Sequence, residues 1–228
     1  SSGQTANGDP IQMTVGQPIT ITGHVVGAPD FRGVVTLTVK DAEQTITCRL
    51  NDPSAATKAM TFKDRPNALY TGSDSIRNGR FTMHFVLPKD ISYTGGNGLI
   101  TLYALSADKQ WEAHGHNTNF MLNGDAQLEN DGIGPNIYCY LNTSSFVNGG
   151  DVNPTPLFHA ELSDKDGINA SGGGIGHDLE LIIDGEMAQT YVLNDYFQYD
   201  FGDYRSGSLN YSIPSLAAGP HKLLFRAW

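Results

Sequence analysis

The chain has 228 residues, 39% of them hydrophobic and 17% charged, a balance that sustains a buried core and excludes the composition of a disordered chain. Its formal net charge of −10, from 24 Asp and Glu against 14 Lys and Arg, opposes the cationic field that a nucleic-acid backbone requires. No apolar run approaches the ~20 residues that span a bilayer.

Residues 1–10 carry neither a basic start nor an apolar centre, so they read as a polar lead-in rather than a signal peptide. The first alternating segment is 11–15. In 19–26 (ITITGHVV), Ile19, Ile21, Gly23 and Val25 fall on one face and Thr20, Thr22 and His24 on the other. Residues 34–39 (VVTLTV) and 44–50 alternate in the same way, the period of half-buried strands. Residues 51–70, with Pro53 and Pro66, are irregular and long for a loop, which predicts a short helix or an extra strand. Asn78-Gly79 is a tight-turn pair that leads into 80–87 (RFTMHFVL). Asn97-Gly98 turns into 99–105 (LITLYAL), and 119–122 closes the region.

Residues 125–135 (DAQLENDGIGP) are polar and broken by Gly and Pro, the strongest boundary signal in the chain. Strand patterns resume at 136–141, 157–162, 179–183, 189–193, 208–213 and 220–228, and neither half has a sustained helical period. The expected fold is all-β: two tandem immunoglobulin-like β-sandwich domains at 1–124 and 136–228, joined by a linker at 125–135. The apolar run 222–228 ends on Trp228 with no turn after it, so the second domain is expected to be truncated at its C-terminal end.

Residues 163–185 (SDKDGINASGGGIGHDLELIIDG) gather most of the polar chemistry. Asp164, Asp166 and Asn169 space their oxygens like the start of a calcium loop, and Asp178 could reach across from the far side. The terminal Glu of an EF-hand loop is absent, position twelve being Ile175. The competing reading is an Asx turn at Asp164 and a tight turn at Asp166-Gly167. Glu112, His114 and His116 occupy alternate positions, spaced like metal ligands on a strand, although Gly115 favours a turn. Cys48 and Cys139 fit neither a disulfide framework nor a four-ligand zinc site and read as buried free thiols. Cys139 with His159 or His177 is the one conceivable nucleophilic dyad, but it sits in a strand pattern rather than an activating environment. Ser171 lacks the elbow of a hydrolase serine, and the glycines precede a strand, so a phosphate cradle is not formed. Tyr196, Phe197, Tyr199 and Tyr204, interleaved with Asp195, Asp200 and Asp203, suit either sugar or protein contacts at a surface or ordinary sandwich packing.

The run GPNIYCYLNTSSFVNGGDVNPTPLFHAELSDKDGINASGGGIGHDLELIIDG, followed by YVLNDYF and by GSLNYSIPSL and GPHKLLFRAW, resembles the segment after the peptidase domain in PorU-type sortases of the Bacteroidetes type IX secretion system. FKDRPNALYTGSDSIRNGRFTMHFVLPKDISY and GNGLITLYAL resemble the part just before it, and the likeness is weakest in residues 1–60. The resemblance implies a parent of the gingipain-type cysteine peptidase class, on the outer face of the outer membrane. Such a parent cleaves C-terminal targeting domains from exported cargo and joins the cargo to a surface glycolipid. The family's catalytic Cys and His lie upstream, so no catalytic residue carries over to a position here. The implied role is non-catalytic, without a cofactor: docking on other domains of the parent peptidase, on outer-membrane secretion components or on cargo C-terminal domains. The alternatives are a carbohydrate-binding module using the 191–204 aromatics and a calcium-stabilised adhesin-like module.

Overall fold

The structure is a computed structural model that describes residues 10–52, 54, 57–88, 91, 96–124, 132–172 and 176–228. Among the described residues there are two short 3₁₀ turns, at Met187–Gln189 and Asn194–Tyr196, and no α-helix. The first half holds β1 (Ile11–Thr14), β2 (Pro18–His24), β3 (Gly33–Lys40), β4 (Gln44–Thr47), β5 (Thr61–Asp64), β6 (Ala68–Ile76), β7 (Arg80–Val86), β8 (Leu99–Ser106), β9 (Glu112–Asn117) and β10 (Phe120–Asn123). They form an antiparallel sheet in the order β6-β3-β8-β9, the pairs β2-β7 and β4-β5, and a parallel pair β1-β10. The second half holds β11 (Asn136–Leu141), β12 (Leu157–Ser163), β13 (Glu180–Ile183), β14 (Thr190–Val192), β15 (Phe197–Asp200), β16 (Asp203–Ser212) and β17 (Leu223–Arg226). A four-stranded sheet, β11-β12-β16-β15, faces a three-stranded one, β14-β13-β17.

Alternation drives the packing. Val35, Leu37 and Val39 of β3 are buried while their neighbours are not, and Phe81, Met83 and Phe85 of β7 do the same. Across the β2-β7 pair Gly23 faces Phe81, where a Cβ would collide with the ring. The second core is built from Phe158, Ala160 and Leu162 of β12 against Leu181 and Ile183 of β13, with Leu179, Leu193 and Leu209 around them. The chain is therefore all-β with a sandwich fold, as its sequence period implies.

The 51–70 stretch resolves in favour of strands: β5 and the start of β6 lie there. A bulge opposite Val39 and Lys40 makes Leu69 the extra residue, so adjacent Leu69 and Tyr70 are both buried and the two-residue period fails. Asn78-Gly79 forms its turn as the sequence directs, Asn97-Gly98 does not take positive φ and Asn97 instead bridges to Met121, and Asp184-Gly185 makes a further turn. Asn78 and Gly79 have φ of 51° and 66°, and Asp184 and Gly185 have 55° and 74°. At residue 79 a Cβ would approach the Ala28 carbonyl oxygen to 2.5 Å, so glycine is required there on two counts.

Candidate functional site

The β15-β16 hairpin joins the two halves. Alternation along β15 turns Phe197 and Tyr199 away from solvent, and Tyr199 sits opposite Gly207, where any Cβ would strike the Gln198 carbonyl oxygen and the Phe197 ring. The Tyr199 ring lies at 5.0 Å from Tyr70 of β6, which is itself stacked on Phe85 at 4.6 Å. Tyr199 thus packs against both hydrophobic cores. Its hydroxyl donates to the Ile168 carbonyl at 2.6 Å, and at the hairpin tip the Gly202 N–H donates to the Ser73 carbonyl at 2.9 Å. Burial, then the Asp74 and Asp203 carboxylates, pushes the Tyr70 phenol up to about 12. Burial, then Tyr70, pushes Tyr199 up as well. Both phenols stay neutral at physiological pH and serve as packing and hydrogen-bonding groups.

Beside this seam lies a cleft of about 1030 Å³. Gln17, Pro18 and the 86–88 segment line it from the first half, and Ile133, Gly134 and Pro135 cross it. The second half contributes the Asp164–Asn169 turn, His177, Tyr204 and Trp228. His177 meets Trp228 edge-on at 5.4 Å, and the Asn169 N–H donates to the Trp228 carbonyl at 3.3 Å. The cleft is mixed in character, with apolar walls and an acidic turn with one lysine at its rim.

The calcium candidates take an Asx-turn geometry at this rim. The Asp166 N–H donates to Asp164 Oδ1 at 2.8 Å, and Gly167, with φ of 104°, donates to the Asp164 carbonyl at 3.2 Å. Asn169 Oδ1 accepts from both the N–H and the hydroxyl of Ser171, at 3.2 and 2.7 Å. Asp178 Oδ1 is buried and meets no hydrogen-bond donor. The glycine-loop residues 173–175, Ile175 included, and the linker residues 125–131 lie outside the described residues. The loop's two ends are pinned by the buried Asn194, whose Nδ2 donates to the Ala170 carbonyl and whose Oδ1 accepts from the Leu179 N–H. Among the described residues no three His, Cys, Asp or Glu side chains gather as a metal-holding group.

The remaining candidates disperse. Glu112 and His114 lie on the exposed edge strand β9, 3.6 Å apart, but Glu112 Oε2 accepts from the Tyr103 hydroxyl at 3.1 Å and the His114 ring rests on Tyr103. His116 is exposed on the same strand, opposite Thr101. Cys139 is exposed, which corrects the expectation of a buried thiol. It shares the inward face of Ala160, but β11 is the edge strand of a four-stranded sheet that faces only three. Cys48 is partly buried. His159 pairs with Tyr140 on the opposite face of the same sheet, so Cys139 and His159 form no dyad. Although exposed, the Cys139 thiol is partly desolvated by its neighbours, which raises it above its ordinary value, the reverse of activation.

The aromatic surface reading is narrowed in the same way. Phe197 is a core residue, and Tyr199 and Tyr204 pack against the first core from the second half. Tyr196 is exposed, its ring edge-on to Tyr211 at 5.1 Å. Alternation in FQYD carried the signal that Phe197 and Tyr199 turn inward. Tyr70 and Asn194, which complete the seam and pin the loop, carried no motif.

Two β-sandwiches fastened through one shared tyrosine define the class of this chain: a paired sandwich region. Over its full length it matches part of the crystal structure of dimeric latent PorU from Porphyromonas gingivalis, at 33% identity and a TM-score of 0.56. The match covers 100% of this chain and 22% of that one, so the chain is PorU-related and spans about a fifth of that protein's length. No family model matches the chain, and no curated protein matches it.

Proposed function

We propose that this chain is a non-catalytic accessory region of a PorU-type surface sortase and that it acts by docking. The carrying observation is the match along the whole chain to a fraction of PorU, a protein solved in a dimeric, latent form. In this reading the sandwiches at 1–124 and 136–228, joined through 125–135, move as one body because Tyr199 and the Gly202–Ser73 hydrogen bond tie them. The body presents its surface to other domains of the parent peptidase, to outer-membrane secretion components or to cargo C-terminal domains, at the extracellular face of the outer membrane. The parent would be the peptidase, and this region would break no bond itself.

Two measurements on the purified chain test this. It should leave an exported-cargo C-terminal targeting domain uncleaved, and it should bind the separately expressed peptidase region of its parent in a pull-down. Cleavage by the isolated chain would end the non-catalytic reading. Failure to bind the peptidase, the secretion components and the cargo domain alike would end the docking reading.

A further inference from the structure

The outer face of the β11-β12-β16-β15 sheet carries a second concavity, of about 410 Å³, which the docking reading does not use. Four of its lining residues, Tyr138, His159, Glu161 and Ser208, follow from register, with Tyr140 and Asn210 flanking them. Tyr138 lies opposite Glu161, and Glu161 opposite Ser208; Tyr140 lies opposite His159, and His159 opposite Asn210. Alternation points all six outward, away from the core face of Phe158, Ala160 and Leu162.

These side chains are already held in place. The rings of Tyr138, Tyr140 and His159 form a continuous run, with centroids 5.6 and 4.7 Å apart. His159 is fixed on both nitrogens, with Nδ1 at 2.9 Å from Asn210 Oδ1 and Nε2 at 3.3 Å from Glu161 Oε1. At the far wall Asp200 Oδ2 accepts from the Ser206 hydroxyl at 2.6 Å. Tyr138 is 51% exposed, an aromatic face open to solvent at the rim of the hollow.

We propose that this concavity binds the ring of a neutral sugar. A pyranose has an apolar C–H face and a rim of hydroxyls that both donate and accept. The open Tyr138 ring suits the first, and the carboxylates of Glu161 and Asp200 with the Ser206 and Ser208 hydroxyls suit the second. Charge excludes the anionic alternatives: among the described residues two carboxylates and no Lys or Arg line the hollow, in a chain of net charge −10. A peptide adding as a strand would take the free edge of β11 or β15 rather than the hollow on the sheet face, where β12 and β16 are each paired on both sides. Pre-fixed polar groups beside an aromatic rim also lower the ordering cost that weakens binding to mobile surfaces.

The test uses the whole chain and two kinds of probe. Methyl glucoside, methyl mannoside and methyl galactoside are titrated by amide-shift mapping, and neutral, glucuronide-bearing and sulfated glycans are compared on an array. The expected result is binding of at least one neutral glycan, shifts centred on Tyr138, Glu161 and Ser208, and no binding of anionic glycans. Tyr138→Ala should weaken binding about tenfold and Glu161→Gln roughly threefold, with melting temperatures unchanged. Absence of any neutral-glycan binding at about 10 mM overturns the proposal. So does equal binding of anionic glycans, or wild-type affinity in both variants. Should Tyr138→Ala fail to fold, the exposed Glu161→Gln substitution decides alone.

Discussion

The two sandwiches solve the same packing problem differently. The second is a closed pair of antiparallel sheets over a mainly aliphatic core of Leu141, Leu162, Leu179, Leu181, Leu193 and Leu209. The first is assembled from four separate sheets, and its core leans on large rings: Tyr70, Phe81, Phe85 and Phe120. Rings bury much area but leave irregular edges, and here one edge is covered by Tyr199 and Tyr204 from the other half. The difference teaches that the seam is uneven: the second half supplies the covering rings, and the first half supplies the ring-lined edge they close.

The sharpest way to break that asymmetry is Tyr199→Ala. Removing the ring that both cores share should cost about 3 kcal/mol and split a single calorimetric transition into two, the first half melting earlier. One unchanged transition would show that the seam carries no coupling. Gly207→Ala attacks the second half directly, because its Cβ would collide with the Gln198 backbone; about 2 kcal/mol should be lost on chemical denaturation. Tyr199→Phe keeps the ring and removes the hydrogen bond to the Ile168 carbonyl. It should cost about 1 kcal/mol without splitting the transition.

A smaller effect sharpens the comparison through pH, in the second half alone. His221 Nδ1 lies 2.7 Å from Asp184 Oδ2, and Nε2 lies 2.9 Å from the Ala217 carbonyl. Both neighbours only accept, so they favour the doubly protonated ring. Ala217 first and then Asp184 raise His221, while the Lys222 N–H first and then His221 lower Asp184. A raised histidine stabilises below its ordinary value of 6.5 and loses that as pH climbs through its folded value. A lowered aspartate stabilises above its ordinary 3.8 and loses that as pH falls through its folded value. The pair therefore contributes fully between 3.8 and 6.5. In Asp184→Asn, NMR titration should find His221 moved back toward 6.5. Smallest of all is calcium: with Asp164 and Asn169 oxygens engaged in their own turns, the melting temperature should be equal in calcium and in chelator.

Much of the sheet content was legible because alternation records which face of a strand is buried, as β3, β7 and β12 show. The turn at Asn78-Gly79 was legible because positive φ narrows the choice of residue, whereas Asn97-Gly98, the same dipeptide, does not take positive φ. Strands were hidden for different reasons: β5, one of two outcomes open for 51–70, is exposed throughout, β6 carries a bulge that buries neighbours together, and β15 lies within the aromatic run. Cys139 reads as buried because alternation gives a side chain's face but not whether the facing sheet extends over it. The aromatic run at 196–204 left surface and core readings open. Its resolution depended on Tyr70, more than a hundred positions earlier, which no local pattern links to it.

The parallel pairing of β1 with β10 has a mechanical consequence. The chain enters the first half at one end of this pair and leaves from the opposite end. Tension along the backbone would slide the two strands past each other and load their cross-links together, instead of peeling them apart in sequence. That geometry resists a pull at the two ends of the pair more than a peeling arrangement of the same bonds would.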